Sequence, residues 1–265
     1  MNSEVDAARL ALRCLDLTSL KEDDNEASIA ALAETARTPF GAPAALCVYP
    51  RWIASARKAL DERRLTNVKI VTVVNFPHGT DTAESVAAQA RAALASGADE
   101  IDVVFHWQAM RAGDMRPGIA VVRAVREHAG KALLKVILEA GELRESALIR
   151  QASNAALDAG ADFLKTSTGK VPVNATPQAA RVMLEAIRDH ANRHGRTLAQ
   201  SAGFKAAGGV ATLAEARQYI DIAQEILGAG WATPEHMRFG ASGLIKSLLS
   251  TLRGDGQNAL DATGY

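Results

Sequence analysis

The sequence predicts an α/β protein that folds as a single (β/α)8 barrel, and three observations point to it. Eight short apolar segments alternate with helical patterns along the chain. Their spacing averages about 33 residues, the size of one strand–helix repeat. Most are β-branched or continuously apolar, as expected for parallel strands covered on both faces. A doubly wound open sheet is the alternative, and the regular series of eight and the lack of a GxGxxG turn disfavour it.

The predicted strands occupy residues 14–17, 45–50, 68–77, 100–105, 132–139, 163–167, 198–205 and 237–242. Helix starts lie between them. Asp81 with Glu84 predicts one helix start, Thr176 before a proline predicts a second, and Thr212 predicts a third through a capping box. A short helix precedes the barrel and a polar tail, flexible from about residue 253 to 265, follows it. Residues 1–265 are expected to form one domain.

An internal repeat supports this organisation. Residues 95–104 and 158–167 share a helix end, a Gly-Ala-Asp turn and the start of a strand, at an offset of 63 residues. The offset corresponds to about two strand–helix units. Superposing the segments places Asp102 on Lys165, so the same strand position carries an acid in one unit and a base two units later.

Composition narrows the classes of partner. The 30 basic and 30 acidic side chains cancel and form no block of like charge, which argues against nucleic acid or a membrane surface as the main partner. No apolar segment is long enough to span a bilayer. The two cysteines suggest no disulfide framework, so the cytoplasm is the expected location. Six scattered histidines, without HExxH or a Cys/His cluster, give no support for a metal site.

Almost every predicted strand contributes a polar side chain near the end where a barrel carries its active site. These are Asp16, Cys47, Asn75, Asp102, Lys135, Lys165, Lys205 and Ser242. Taken singly, each has an ordinary explanation: a solvent-facing lysine, a turn residue or a small buried thiol. Together, burying several charges costs several kcal/mol per ion before pairing. The set therefore predicts either catalysis, which we favour, or a structural ion-pair network inside the barrel.

The excess of lysines indicates amine chemistry. A lysine nucleophile must be uncharged, and both desolvation and a neighbouring cation lower its pKa. Lys165 and Lys205 would form such a pair, an arrangement that activates amines for Schiff-base formation. A nearby aspartate can move protons during the reaction. Carbon–carbon bond cleavage through an iminium ion is the reaction class that follows.

Glycine-rich segments follow the last two predicted strands, at 206–210 and 239–243. Loops at these positions, opening onto helix N-termini, commonly bind phosphate in barrels. Gly169 and Lys170, after the sixth strand, would add a positive charge.

On these residues the sequence resembles the deoxyribose-phosphate aldolases, which are class I aldolases with a TIM-barrel fold. The matching segments are LDLTSL (15–20), VNFPHG (74–79), GADEIDVVF (97–105), LLKVILE (133–139), GADFLKTSTGK (160–170), VNATP (173–177), GFKAAGGV (203–210) and FGAS (239–242). They extend over nearly the whole chain, and FLKTSTGK with GFK-AGG is the most specific combination.

The resemblance implies reversible cleavage of 2-deoxy-D-ribose 5-phosphate to acetaldehyde and D-glyceraldehyde 3-phosphate, with no cofactor or metal. It makes Lys165 the Schiff-base lysine, Lys205 the cation that lowers its pKa, and Asp102 the proton-relay acid that works with Lys205 through a bound water. The other residues that it assigns are Asp16 and Lys135 in the supporting polar network, Thr18 and Cys47 in the substrate pocket, Gly169, Lys170, Gly208, Gly209, Gly240 and Ser242 at the phosphate, and Tyr265 in proton transfer at the enamine carbon. A homodimer is the family expectation.

The sequence departs from the family pattern near the expected phosphate. Ala206 replaces a proline, Ala211 stands where many relatives carry arginine, and Gly243 where they often carry serine. We expect a smaller preference for phosphorylated over free deoxyribose. Two other functions stay open at this point: another lysine-dependent sugar-phosphate aldolase or transaldolase, and a non-catalytic sugar-phosphate-binding barrel.

Overall fold

Eight parallel strands pair in chain order, and the last pairs with the first, in a computed structural model that describes residues 3–254. The strands are β1 Leu15–Ser19, β2 Ala45–Val48, β3 Lys69–Val74, β4 Glu100–Val104, β5 Leu133–Ile137, β6 Phe163–Lys165, β7 Gly203–Ala207 and β8 Met237–Ala241. The closed sheet confirms the predicted (β/α)8 barrel.

Helices cover the outside of the barrel. They are α1 Glu4–Arg13, α2 Glu26–Thr35, α3 Ile53–Glu62, α4 Ala83–Ala95, α5 Trp107–Arg111, α6 Arg116–Ala129, α7 Ala140–Leu143, α8 Ser146–Asp158, α9 Pro177–Arg193, α10 Leu213–Leu227 and α11 Leu244–Arg253. None of these helices is long and apolar enough to cross a membrane. The short helix α1 precedes the barrel as predicted. Helix α11 includes Arg253, which the sequence placed in the tail, and residues 255–265 lie outside the described part of the chain.

Side-chain caps mark the starts of several helices. Thr176 and Thr212 cap α9 and α10 as predicted, the latter in a capping box with Glu215. The start predicted at Asp81 is wrong by one residue, because the Thr82 side chain accepts from the backbone of Ser85 and caps α4.

The largest error in the predicted strands concerns the seventh. Residues Leu198–Gln200 form a 3-10 turn, since Thr197 and Gln200 cap each other there, and β7 begins only at Gly203. The apolar residues of 198–205 therefore belong to two elements. The strand β6 is also shorter than predicted and ends at Lys165.

The register of the strands sets the height of each inward side chain. A path from Asp102 through directly paired residues, once around the barrel, returns to β4 eight residues away from where it began. The shift amounts to two residues for every two strands. A shear of eight is the value typical of (β/α)8 barrels, whose inward side chains form layers of four from alternate strands. A residue therefore lies at the same height as a residue of the next strand but one, namely the residue two positions beyond the directly paired one.

Candidate active site

The interior of the barrel consists of four such layers. From the amino-terminal end towards the mouth they are Ala45, Glu100, Phe163 and Arg238; Asp16, Val71, Lys135 and Lys205; Cys47, Asp102, Lys165 and Gly240; and Thr18, Val73, Ile137 and Ala207. Asp102 and Lys165 share a layer, which is the structural basis of the 63-residue repeat. The charged side chains lie in the lower three layers, below the strand ends where the sequence placed them.

Asp102 joins three lysines at the centre of the barrel. Its Oδ2 atom accepts from Lys165 Nζ and from Lys205 Nζ, both at 2.8 Å, and its Oδ1 atom accepts from Lys135 Nζ at 2.9 Å. All four side chains are buried. Lys205 also donates to the Asp16 carboxylate. Lys205 and Asp102 touch directly, whereas the resemblance implied a contact through water.

Sequence reasoning missed two members of this cluster, Glu100 and Arg238. Arg238 donates to Asp16 Oδ1 at 2.7 Å and to Glu100 Oε1 at 2.9 Å, and Lys135 lies 2.6 Å from Glu100. Both residues lie at the start of a strand, where a charged side chain in the sequence is expected to face solvent. The signal that could have found them is their even spacing from residues already selected, Glu100 two before Asp102 and Arg238 two before Gly240, because alternate strand residues face the same side.

The balance of charge singles out Lys165. Among the described residues the cluster contains four basic groups and three carboxylates, so full ionisation would leave one unpaired positive charge in the barrel. Lys135 lies within 4 Å of three carboxylates, and Lys205 and Arg238 each lie within 4 Å of two, whereas Lys165 contacts Asp102 alone. Lys165 is therefore the group that gives up its proton at least cost.

The pKa directions agree with this. Burial lowers the pKa of Lys165, and the Lys205 ammonium lowers it further against the opposing effect of the Asp102 carboxylate. Burial also disfavours the charge of Lys205, but the carboxylates of Asp102 and Asp16 outweigh it and raise the pKa of that lysine. Burial acts against ionised Asp102 as well, and the lysines around it hold its pKa well below the usual range. Of the lysines in the cluster, Lys165 is therefore the one that loses its proton most readily, beside a Lys205 that holds its charge firmly.

Lys165 faces a cavity of about 410 Å³ at the mouth of the barrel. Its walls come from the loops after β1, β6, β7 and β8, and they include the predicted residues Thr18, Gly169, Lys170, Gly208, Gly209, Gly240 and Ser242, together with Lys21, Thr168, Ala211 and Gly243. Gly240 keeps the cavity open beside Lys165. A Cβ atom at this position would lie 3.0 Å from both Lys205 Cε and Ala207 Cβ.

Two helices begin at this cavity, but their N-termini differ. At α10 the Glu215 carboxylate already accepts from the amides of Ala211 and Thr212. At α11 the cap is Gly243, which provides no side-chain acceptor for the first turn. Free amides at a helix N-terminus attract an anion. The residues Gly208 and Gly209 next to it both have positive φ, a conformation that suits glycine. The α11 end of the cavity is therefore the better anion site.

The loop after β6 is fixed from two sides. The buried Glu139 carboxylate accepts from the Thr168 hydroxyl at 2.6 Å and from its amide at 3.1 Å, and burial raises the pKa of Glu139. Lys170 Nζ donates to the Leu20 carbonyl at 2.7 Å, which ties this loop to the one after β1. Glu139 was not selected from the sequence.

Three predicted residues lie elsewhere. Cys47 shares the layer of Lys165 but is fully buried below the cavity wall, and burial raises the pKa of its thiol. Asn75 has a positive φ directly after β3 and donates to the Val104 carbonyl at 2.8 Å, so it holds a turn and does not line the cavity. Tyr265 lies outside the described residues.

A buried amine with a lowered pKa at the floor of a barrel mouth, beside a carboxylate and below a helix N-terminus that suits an anion, indicates the class of the protein: a lyase of the lysine-dependent aldolase type. The comparisons with known proteins agree. A family model described as DeoC/LacD family aldolase matches residues 10–248. The chain belongs to this family and is an aldolase.

Solved structures of similar proteins cover almost the whole chain. A provisionally assigned deoxyribose-phosphate aldolase from Toxoplasma gondii superposes with a TM-score of 0.86 at 27% identity, covering 95% of this chain and 96% of that one. One from Coccidioides immitis gives a TM-score of 0.77 at 27% identity over 92% and 86%. Deoxyribose phosphate aldolase from Aeropyrum pernix gives 0.71 at 25% identity over 95% and 93%.

Proposed function

We propose that this aldolase cleaves 2-deoxy-D-ribose 5-phosphate reversibly into acetaldehyde and D-glyceraldehyde 3-phosphate through a Schiff base on Lys165. The observation that carries the proposal is the buried Lys165 amine, whose pKa is lowered, 2.8 Å from a carboxylate and at the floor of a cavity that ends in an anion site. The substrate is taken from the names of the Toxoplasma and Aeropyrum proteins and from the matching motifs.

The reaction begins when the neutral Lys165 nitrogen adds to the aldehyde carbon of the open-chain sugar. The resulting carbinolamine loses its oxygen as water and becomes an iminium ion. Asp102 lies next to the reacting nitrogen and also contacts Lys205, and these two residues would pass the protons that this step requires.

Cleavage follows from the iminium ion, which withdraws electrons from the neighbouring carbon. The C3 hydroxyl loses its proton, the C2–C3 bond breaks, and its electron pair forms an enamine on Lys165 while C3 becomes the aldehyde of D-glyceraldehyde 3-phosphate. Protonation of the enamine carbon and hydrolysis of the imine then release acetaldehyde and the free amine. The role predicted for Tyr265 belongs to this protonation and stays a prediction.

The phosphate is proposed to bind at the α11 end of the cavity. Gly208, Gly209 and Gly240 allow its oxygens to approach the backbone, while Ser242 and Lys170 add a hydroxyl and a positive charge. Binding there would orient the sugar so that its aldehyde end points down to Lys165.

Borohydride trapping tests the covalent step. Acetaldehyde and borohydride should leave one ethyl group on Lys165, located by peptide mass mapping. Lys165→Arg should take up no label, and Lys170→Gln, the matched control from the same cavity, should still be labelled. No adduct would contradict the Schiff-base mechanism, and an adduct on another lysine would contradict the assignment of Lys165.

The substrate requires a separate assay. Activity with 2-deoxyribose 5-phosphate should exceed activity with ketose phosphates, which would be preferred by another aldolase of the lysine type. A homodimer is also proposed from the resemblance, although the Aeropyrum protein is described as tetrameric. Light scattering on the purified chain distinguishes the two states.

A further inference from the structure

A second cluster of titratable side chains lies on the opposite side of the barrel wall from the catalytic lysine. His190 and His194 are four residues apart on α9, so they lie on the same face of the helix, and Asp158 is the last residue of α8. The sequence offers six histidines without a recognisable metal motif. Folding brings these two together with a carboxylate from a neighbouring helix.

The distances within the cluster suit a coordinated ion. Asp158 Oδ1 lies 3.4 Å from His190 Nε2 and 4.0 Å from His194 Nε2, and one ligand atom from each residue lies within 4.8 Å of the others. Zinc bonds of about 2.0–2.2 Å in tetrahedral geometry separate neighbouring ligand atoms by about 3.4 Å. Rotations of the half-exposed His194 and Asp158 side chains are enough to reach this separation.

We propose that Asp158, His190 and His194 form a binding site for a first-row transition metal ion, with Zn²⁺ as the type. Two imidazoles and one carboxylate are ligands that zinc, nickel and copper accept, whereas calcium and magnesium prefer oxygen ligands only. All three residues line a groove of about 990 Å³ at the amino-terminal end of the barrel. Water from this groove supplies the fourth ligand.

Arg193, a cation beside the Asp158 carboxylate, does not block the proposed metal site. Arg193 Nη2 lies 4.0 Å from Asp158 Oδ1, and its side chain is half exposed, so it can turn to solvent when an ion binds. His190, by contrast, is buried and fixed in place, with its ring centroid 4.4 Å from that of His194. One ligand is therefore held in position and two can adjust around it.

A bound ion would join α8 to α9. Both helices flank β6, because α8 leads through Gly160 into that strand and α9 follows the loop after it. The ion would therefore cross-link the two helices that enclose the strand carrying Lys165. The site shares no residue with the Lys165 cluster, so it does not depend on the proposed function.

Metal binding to the untagged full chain tests the proposal. Calorimetric titration with Zn²⁺ should give one site per chain, and Co²⁺ should show the intense visible absorption of tetrahedral coordination. Free Zn²⁺ at 100 times its dissociation constant should raise Tm by about 5 to 10 °C. Asp158→Asn and His194→Ala, whose side chains are partly exposed, should each weaken Zn²⁺ binding at least about 100-fold, since even partners of metal ligands contribute about 10- to 100-fold.

His128→Ala is the matched control, because His128 is an exposed histidine on α6, and it should bind Zn²⁺ like the unaltered chain. Binding that persists in His194→Ala, Co²⁺ spectra that show thiolate ligation by Cys14 or Cys47, or no binding at all would each overturn the proposal. Circular dichroism of the variants establishes that any loss of binding is not a loss of fold.

Discussion

Replacement of Lys205 by methionine is the most direct test of how Lys165 becomes reactive. The change removes one of four basic groups and leaves three facing three carboxylates. With the charges balanced, Lys165 keeps its proton, so its pKa should rise. Lys205→Arg is the control, since it retains the positive charge at nearly the same place.

The size of the effect follows from the geometry. Lys165 Nζ and Lys205 Nζ both lie 2.8 Å from Asp102 Oδ2, so they are no more than twice that distance apart. Two like charges about 5 Å apart repel by roughly 3 kcal/mol at an effective dielectric constant of about 20. Because about 1.4 kcal/mol corresponds to a factor of ten, Lys205→Met should slow imine formation about 100-fold at pH 7.

The assay is kcat/KM as a function of pH, which reports ionisations of the free enzyme. Only the neutral amine reacts, so activity rises with pH through the pKa of Lys165. In Lys205→Met this rise should move to higher pH, and the difference from wild type should narrow as the pH increases. Lys205→Arg should rise near the wild-type pH. A loss of the same factor at every pH in Lys205→Met would refute the argument, because Lys205 would then act without changing the pKa of Lys165.

Three further predictions concern the rest of the site. Arg238→Met leaves two buried carboxylates short of a partner and should lower the free energy of unfolding by about 3–5 kcal/mol, measured by urea denaturation; a change below 1 kcal/mol would contradict its role in the cluster. Gly240→Ala places a methyl group against the Lys205 side chain and should lower kcat/KM about tenfold with little change in Tm. Unaltered kinetics would show that the open space beside Lys165 is not needed. Ala211→Arg should raise the preference for phosphorylated over free deoxyribose about 2- to 5-fold, the value of an exposed ion pair, and an unchanged ratio of kcat/KM values would contradict a link between this position and the phosphate.

Local patterns in the sequence were enough to predict the fold. Strand and helix periodicity, capping at Thr176 and Thr212, and the repeat linking Asp102 to Lys165 all depend on neighbours close along the chain or on regular spacing. The same regularity led to the three lysines, because charges at strand positions contradict the apolar pattern around them. The error at the seventh strand has the same origin: the apolar residues of 198–205 cannot reveal that Thr197 caps a turn in their midst.

Only the closed barrel decides which charges meet. The shear of the strands brings Asp102 and Lys165 to one height and places Arg238 and Glu100 below them, and no short segment of sequence contains that displacement. The number of carboxylates that each base contacts depends on seven residues from six strands. This number explains why Lys165 loses its proton more readily than Lys205. The sequence by itself determined that lysines and aspartates occupy the strands of a barrel. The tertiary structure decided which lysine has the lowered pKa, because a pKa depends on burial and on every charge within a few ångströms.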